Sequence, residues 1–417
     1  MTAFRFLHAA DLHLDSPLRG LARDADAPVE RIRRATREAL SNLVDLALQE
    51  RVAFVLLAGD LYDGDWKDWG TGQFLIGQLA RLTGAGIRVV AISGNHDAAS
   101  QITRHLRWPG GAVLLPVDRP ATVEWDDIGV AIHGQGFHRR DVAENLALGY
   151  PAPIPGRLNI GLLHTAAGRG GHENYAPCTA AQLSAHGYAY WALGHVHARE
   201  VIAERPWIVF PGNLQGRDVN EAGAKGASLV SVRDGAIAGL EHRALDVVRW
   251  ARVEVDLSGA MDEEAALSRL RPALEAALGE AQGRLLALRL VLSGTCAAHA
   301  ALSADPASLR EKLRAEALAT AAGQELWLED VRLATAAPAA PRARDDALGT
   351  LLRAIDVADA SALLPPLQAY AAKMLGHGGA GRRLPADHPA RRLALGDLPP
   401  DLLDRARALV LARLGEG

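Results

Sequence analysis

Fully apolar runs that end abruptly in polar residues, separated by stretches of helical periodicity, organise roughly the first 240 positions of the chain. The run "FRFLHAADLH" predicts a strand ending at Asp11. It is followed by "VERIRRATREALSNLVDLALQE", an amphipathic helix with Val29, Ile32, Leu40, Leu43, Val44 and Ala47 near helical spacing. "VAFVLLAGD" then reads as a buried strand closed by Asp60. The order repeats: "GQFLIGQLARL" has helical spacing, and "IRVVAISGNHD" is another buried strand, with Asn95, His96 and Asp97 at its end. A βαβαβ opening follows. The later runs "GVAIHG", "LNIGLLHT", "YAYWALGHVH", "WIVFPGNL" and "ASLVSV" predict further strands with fewer helices between them. Together they predict a layered α/β (α+β) fold in which polar residues gather at strand ends.

Past residue 250 the pattern changes. The segments "ARVEVDLSG", "DEEAALSRLRPALEAALGE", "RLLALRLVLSG", "DPASLREKLRAEAL" and "ELWLEDVRLAT" read as a small βαβαβ module whose second and fourth members are helical. The run "AAPAAPRARDD" has linker composition. Two helical segments, "ALGTLLRAIDVADASALLPPLQAYAAKML" and "LPPDLLDRARALVLARLGEG", follow without a clear core of their own. The expected division is a first domain over 1–245, a small α/β domain over 246–336, a linker over 337–347 and a helical region over 348–417.

Composition changes this picture little. A chain of 417 residues exceeds one typical domain, in keeping with a modular layout. A formal net charge of -4 carries no global signature for a polyanion, so any such site must be local. Cys178 and Cys296 are too few and too far apart for a disulfide framework or a thiolate zinc site, which predicts a reducing compartment. Arg5, His8 and Asp11 interrupt the stretch where a signal peptide needs unbroken apolar sequence, and no run reaches membrane-spanning length. The expectation is a soluble, cytoplasmic protein.

The chemistry is carried by what terminates the apolar runs: Asp11 and His13, Asp60, Asn95 and His96, His164, then His195 and His197. In "GHVH" the histidines are two residues apart, so an extended backbone would turn both rings to one face, whereas a turn at Gly194 would let them diverge. Loops that follow the strands of a layered α/β fold lie along one edge, where residues distant in sequence can meet. Carboxylate, imidazole and amide oxygen without thiolate suit Mn²⁺, Fe²⁺ or Zn²⁺ better than Ca²⁺. There are too many ligands for one ion, and a carboxylate such as Asp60 could bridge two ions roughly 3.5 to 4 Å apart.

The motifs "DLH", "GDLYD", "GNHD", "LLHT" and "GHVH", in that order, resemble the five signatures of the calcineurin-like metallophosphoesterases. The stretches "ADLHLDSPLRGL", "LLHTAAGRGGHENYAPC" and "YWALGHVHAREVI" narrow the resemblance to the SbcD- and YhaO-like branch of DNA-repair exonucleases. It covers residues 4 to about 245 by motif and the remainder only in layout. The resemblance implies a β-sandwich flanked by helices, followed by a small α/β cap domain and C-terminal helices. It implies two divalent metal ions, Mn²⁺ first, with Fe²⁺, Zn²⁺ or Mg²⁺ as alternatives. Asp11, His13, Asp60 and His197 would hold one ion, and Asp60, Asn95, His164 and His195 the other. His96 would be the general acid that protonates the departing oxygen while water attacks phosphorus in line. Asp63 of "GDLYD" would orient it, at a position where double-strand-break nucleases of the branch usually carry histidine.

The implied function is a metal-dependent phosphodiesterase, a DNA exonuclease or endonuclease subunit acting in repair. Its implied partners are DNA and an SbcC-like ABC-type ATPase docked by the C-terminal helices, with a homodimer as a further assembly and no membrane. The alternative is a small-molecule phosphomonoesterase or cyclic-nucleotide phosphodiesterase that uses the same metal site.

Other polar residues weigh less. His172 and Glu173 sit in the loop after His164, where substrate contacts are common. Asn213 and Arg217, in "PGNLQGR", follow a strand and a proline-glycine turn, and Arg217 could reach a phosphate. His172, Asn213 and Arg217 are accordingly the candidate substrate-binding residues. His8 and His133 read first as structural. Trp66 and Trp69 could stack on unpaired bases or pack beneath their loop. The basic run "ERIRRATRE" reads as the solvated side of a helix.

Overall fold

A computed structural model describes residues 3–16, 27–63, 69–99, 106–168, 175–338, 360–376 and 389–397. The chain divides into two compact units, one of residues 1–252, 277–289 and 323–329, the other of 253–276, 290–322 and 330–417.

In the larger unit the strands, in chain order, are β1 (Ala3–Ala9), β2 (Phe54–Ala58), β3 (Arg88–Ile92), β4 (Ala112–Leu114), β5 (Ala121–Trp125), β6 (Val130–Gly134), β7 (Leu158–His164), β8 (Tyr190–Gly194), β9 (Glu200–Glu204), β10 (Trp207–Phe210), β11 (Gly226–Arg233) and β12 (Ala236–Ala244). Helices α1 (Val29–Glu50), α2 (Trp69–Gly84) and α3 (Ala180–Ala185) connect them. The strands form two six-stranded sheets, ordered β12-β11-β1-β2-β3-β4 and β5-β6-β7-β8-β10-β9. In the first, β1 to β4 run parallel and β11 pairs antiparallel with β1. In the second, β6, β7, β8 and β10 run parallel.

Alternation along β2 and β3 divides each buried run between two cores. Val55, Leu57, Val89 and Ala91 cluster with apolar residues of α1 and α2, whereas Phe54, Leu56, Val90 and Ile92 cluster with Val130, Ile132, Ile160 and Leu162 of the second sheet. Burial on both faces is why these strands read as unbroken apolar runs. Phe6 stacks on Phe54 at 4.7 Å and meets Tyr190 of the second sheet edge-on at 5.4 Å, so aromatic contacts join the layers. On the other side of the second sheet, Leu163, Trp191, Leu193 and Phe210 cluster with Leu183 of α3. The result is a mixed α/β sandwich with helices outside.

α1 spans the predicted residues and buries Ile32, Leu40, Leu43, Val44 and Ala47, while Val29 in its first turn stays half-exposed. The strands before the candidate ligands stop earlier than their apolar pattern, because Asp11 (φ 52°), Asp60 (φ 51°) and His195 (φ 98°) leave extended geometry. β5 and much of β12 alternate half-exposed and exposed positions, β9 is half-exposed along most of its length, and none carries an apolar run to announce it.

Downstream, β13 (Val248–Asp256), β14 (Leu285–Thr295) and β15 (Leu326–Ala336) form a three-stranded sheet in that order, interleaved with α4 (Glu263–Ser268), α5 (Leu270–Ala281), α6 (His299–Ala304) and α7 (Pro306–Ala321). The single helix expected over 262–280 is two. Pro272 has no N–H to offer the Ser268 carbonyl, and its ring crowds that oxygen. Side chains of Asp262 and Asp305 cap α4 and α7. The smaller unit buries Leu270, Leu274, Leu290, Leu292, Leu309 and Leu313. Of the C-terminal region, α8 (Ala360–Gly376) and α9 (Pro389–Ala394) are described, and the helix expected over 398–417 lies outside the described residues. No described helix is long and apolar enough to cross a membrane.

Candidate metal centre

The loops that follow β1, β2, β3, β7 and β8 meet, although they belong to two sheets. The His195 N–H donates to both oxygens of the Asp11 carboxylate (3.2 and 3.0 Å), His164 Nε2 lies 2.9 Å from Asn95 Oδ1, and His13 Nε2 lies 3.1 Å from His197 Nε2. The approach leaves no room for side chains at two positions. A Cβ on Gly194 would stand 1.9 Å from the Ala58 carbonyl oxygen, and one on Gly94 would stand 2.3 Å from Asp60 Oδ1. Gly194 therefore serves the contact between backbones, not the turn that its place before the histidines suggests. It is the last residue of β8, and the turn falls on His195 itself at φ 98°.

Donor atoms of Asp11, His13 and His197, of His13, Asp60 and His96, and of Asp11, Asp60 and His164 fall within 4.8 Å of one another in each group. Asp60 belongs to two groups, with Oδ2 3.8 Å from His13 Nε2 and 3.5 Å from His164 Nε2. Asp11 also belongs to two, so the geometry offers a second carboxylate between them. Asn95 adds its oxygen beside His164. The His195 ring lies edge-on to those of His164 (5.3 Å between centroids) and Tyr175 (5.4 Å), outside these three groups.

The electrostatics fit a cation. Burial above all pushes the Asp11 carboxyl up to about 6, and the neighbouring Asp60 adds to the rise. Burial also opposes ionisation of Asp60, but His164, His13 and His96 outweigh it and hold its pKa below the ordinary carboxylate range. For His164 burial disfavours the charged ring, yet Asp60 and Asp11 push its pKa up to about 9. His13 is held well below its ordinary value, first by burial and then by Arg217, so it is a neutral ring with a lone pair to give. His164 Nδ1–H donates to the Ala58 carbonyl at 2.9 Å, so Nε2 is the nitrogen turned toward the oxygens of Asn95 and Asp60. Electron-rich atoms turned toward one another in a buried site are stable only with positive charge among them. The mixed nitrogen and oxygen donors suit a divalent transition ion. Such ions supply Lewis-acid polarisation of a phosphoryl oxygen and a more acidic attacking water.

His96 is placed differently. Its Nδ1 lies 2.7 Å from Asp63 Oδ1, and this hydrogen bond raises the ring's pKa above the ordinary histidine value against the effect of burial. Asp63 also accepts from the Ser16 hydroxyl. The main-chain N–H of His96 donates to Asp60 Oδ1 at 2.9 Å, so the backbone that carries the ring is tied directly to the central carboxylate. Asp97, next in sequence, accepts from the N–H groups of Leu61 (3.1 Å), Tyr62 (2.9 Å) and Gly94 (2.9 Å), stapling the loops after β2 and β3 together. Burial pushes its carboxyl up to about 7.

The remaining candidates are dispersed. His172 lies outside the described residues, as do Glu173 and Trp66. Asn213 is fully buried, and its amide donates to the Gln215 carbonyl and to Glu221, both at 2.8 Å. Arg217 pairs with Glu221 at 2.8 Å and brings Nη1 to 3.5 Å from Asp63 Oδ2. Glu221 also lies 2.7 Å from His197 Nδ1, though nothing in the sequence pattern marks it. His8 is bonded to the Tyr190 hydroxyl and the Leu193 carbonyl within the core, and the buried His133 to Asn159 and to Thr122 at the surface. Trp69 is half-exposed at the start of α2, and Arg31, Arg33 and Arg34 are exposed on α1.

A layered sandwich whose buried carboxylates and imidazoles converge beyond its parallel strands defines a class, the metal-dependent phosphoester hydrolases. The family profile "Calcineurin-like phosphoesterase" matches residues 4–199, and "Metallophosphoesterase YhaO, middle domain" matches residues 250–336. The "Uncharacterized metallophosphoesterase YhaO" of Bacillus subtilis (strain 168) is 36% identical over 320 residues, which cover 76% of this chain and 78% of that protein. The "DNA double-strand break repair protein Mre11" of Methanopyrus kandleri is 25% identical over 298 residues, 64% of this chain and 62% of its own. A subunit of the SbcCD nuclease of Rhodobacter capsulatus is 33% identical over 100 residues, 24% of this chain and 22% of its own. The chain belongs to the calcineurin-like metallophosphoesterases, within their YhaO-like family.

Proposed function

We propose that the chain hydrolyses phosphodiester bonds in DNA with two divalent ions, Mn²⁺ foremost, one held by Asp11, His13, Asp60 and His197 and the other by Asp60, Asn95, His164 and His195. The observation that carries this reading is the convergence of buried donors on Asp60 beside a ring, His96, that is hydrogen-bonded to Asp63. In it, His96 delivers a proton to the departing oxygen, and Asp63 and Asp60 fix where that proton is held. The step from phosphoester to DNA is supported by the relatives named for double-strand-break repair and for the SbcCD nuclease. The reading extends to the rest of the chain, with residues 246–336 as a cap over the substrate path and 348–417 as the docking region for an ABC-type ATPase. Support for docking comes from Tyr370, Met374 and Leu395 on or just after α8 and α9, which are 64%, 58% and 83% exposed.

A second reading, a small-molecule phosphomonoesterase or cyclic-nucleotide phosphodiesterase, is favoured by one observation. A carboxylate, Asp63, occupies the position that orients His96, where the sequence resemblance leads one to expect histidine in a double-strand-break nuclease. A Mn²⁺-dependent assay of labelled single- and double-stranded DNA against an aryl phosphate, with wild type and His96→Ala side by side, separates the two. Faster turnover of DNA, lost in the variant, supports the nuclease; aryl phosphate turnover equal to or above that of DNA favours the second reading. Deleting residues 345–417 should spare hydrolysis and abolish association with the ATPase, and unaltered co-purification would overturn the docking assignment.

A further inference from the structure

We propose that Glu221 is a positioning residue that links the two ends of the metal centre, fixing the tautomer of His197 on one side and holding Arg217 against Asp63 on the other. The assignment rests on the metal-dependent reading above.

Glu221 closes a short 3₁₀ turn, Val219–Glu221, whose start is capped by the Asp218 side chain. Its carboxylate is 11% exposed and is surrounded by donors. Oε1 lies 2.7 Å from His197 Nδ1 and 2.8 Å from Arg217 Nη2, while Oε2 accepts from Asn213 Nδ2 and from the Arg217 main-chain N–H, both at 2.8 Å. Arg217 Nη2 also approaches His197 Nδ1, at 3.2 Å, but the carboxylate oxygen is nearer, at 2.7 Å, and can only accept there, which places the ring proton on Nδ1. The lone pair on Nε2 then points toward His13 Nε2 at 3.1 Å and Asp11 Oδ1 at 3.8 Å, where a cation would be held.

The guanidinium carries the arrangement further. Arg217 Nη1 lies 3.5 Å from Asp63 Oδ2, and Asp63 in turn holds His96. Lys225 Nζ donates to the His197 carbonyl at 2.8 Å and steadies the same loop from behind. A buried ion pair of this kind adds little net stability, because desolvation offsets most of its attraction. What Glu221 contributes is direction, imposed on a metal-ligand imidazole and, through Arg217, on the partner of the acid.

The test uses full-length, metal-free protein titrated with Mn²⁺ by calorimetry, with the spin-coupled pair followed by electron paramagnetic resonance. Glu221→Gln keeps the shape but presents an amide N–H toward His197 Nδ1, which drives the ring proton to Nε2. Wild type should bind two Mn²⁺, and Glu221→Gln should bind one with unchanged affinity and the other roughly 10- to 100-fold more weakly. Circular dichroism of the metal-free variant should match wild type. Arg217→Gln should leave Mn²⁺ binding intact and lower kcat on an aryl phosphodiester by about 10-fold with KM unchanged, a fraction of what a general acid contributes. Glu221→Gln binding both ions as tightly as wild type overturns the assignment. If that variant does not fold, Arg217→Gln decides, and a rise in KM alone would make the arginine a substrate contact and break the link to Asp63. Wild type that binds no Mn²⁺ defeats the metal reading itself, whereas two ions held as tightly by the variant as by wild type defeat only the role of Glu221.

Discussion

In the larger unit, Asp11, His13 and Asp60 are each 1% exposed and face one another at strand ends. The paired charges of the smaller unit, Arg271 with Glu316 and Lys312 with Glu263, join helix surfaces where their side chains remain 26% to 59% exposed. Backbone strain divides the same way. Asp11, His13, Asp15, Asp60 and His195 all take positive φ at the site, whereas among the described residues of the smaller unit Ala322, at the end of α7, is the non-glycine residue that does so. Each such conformation costs of order 1–3 kcal/mol unless its surroundings impose it. The larger unit thus gathers buried charge and bent backbone at one place, an arrangement that cations stabilise, while the smaller unit follows ordinary packing and ordinary surface pairing.

The strongest way to break this contrast is Asp60→Asn. Hydrolysis should fall to background, with fewer than two Mn²⁺ bound per chain by elemental analysis; two tightly bound ions would transfer the bridging role to Asp11. Next in size is His96→Ala, expected to lower the rate by roughly 10²- to 10⁴-fold with metal content unchanged, and parallel loss of metal would make His96 a ligand. Asp63→Asn sharpens the same point through pH. The hydrogen bond to Asp63 raises the pKa of His96, so an acid role is present at low pH and fades only as pH rises past a value above the ordinary histidine one. Without the carboxylate the alkaline limb of the rate profile should move to lower pH, and an unmoved limb would remove His96 from the acid role. Asp97→Asn should cost about 1–3 kcal/mol in thermal or denaturant unfolding, because an amide cannot satisfy three buried N–H donors. The smallest effect belongs to the smaller unit: Arg271→Ala should change stability by no more than ~1 kcal/mol and leave Mn²⁺ stoichiometry untouched.

The parts of this arrangement legible in the sequence share one physical property. Strands buried on both faces leave continuous apolar runs, and a polar residue at the end of such a run stands out, as Asp60, Asn95 and His164 do. Strands with one wet face, such as β5 and β12, leave no such trace. The spacing of His195 and His197 suggests rings on one face, whereas the backbone turns at His195, φ 98°, beside a close contact of Gly194 with the Ala58 carbonyl that only the meeting of two sheets creates. Glu221 is the least legible residue, since it sits in an irregular turn and takes its meaning from His197, far from it in sequence, as well as from the nearby Arg217. Asp97 is visible as the end of "GNHD", yet its grip on Leu61 and Tyr62 depends on how β2 and β3 lie side by side.

The strand pairing of β1 with β11 also sets an order of events during synthesis. β1 holds residues 3–9 and its antiparallel neighbour holds residues 226–233, so one side of the first strand waits unpaired while more than half the chain is made. Domains generally fold as units as the chain emerges amino end first, and pairings this distant in sequence form late. A nascent chain that has reached His96 owns Asp11, His13, Asp60 and Asn95 but neither His164 nor His197. The full set of candidate ligands therefore exists only once the chain has been made as far as His197, so the cradle is completed late and not built up around an ion held early.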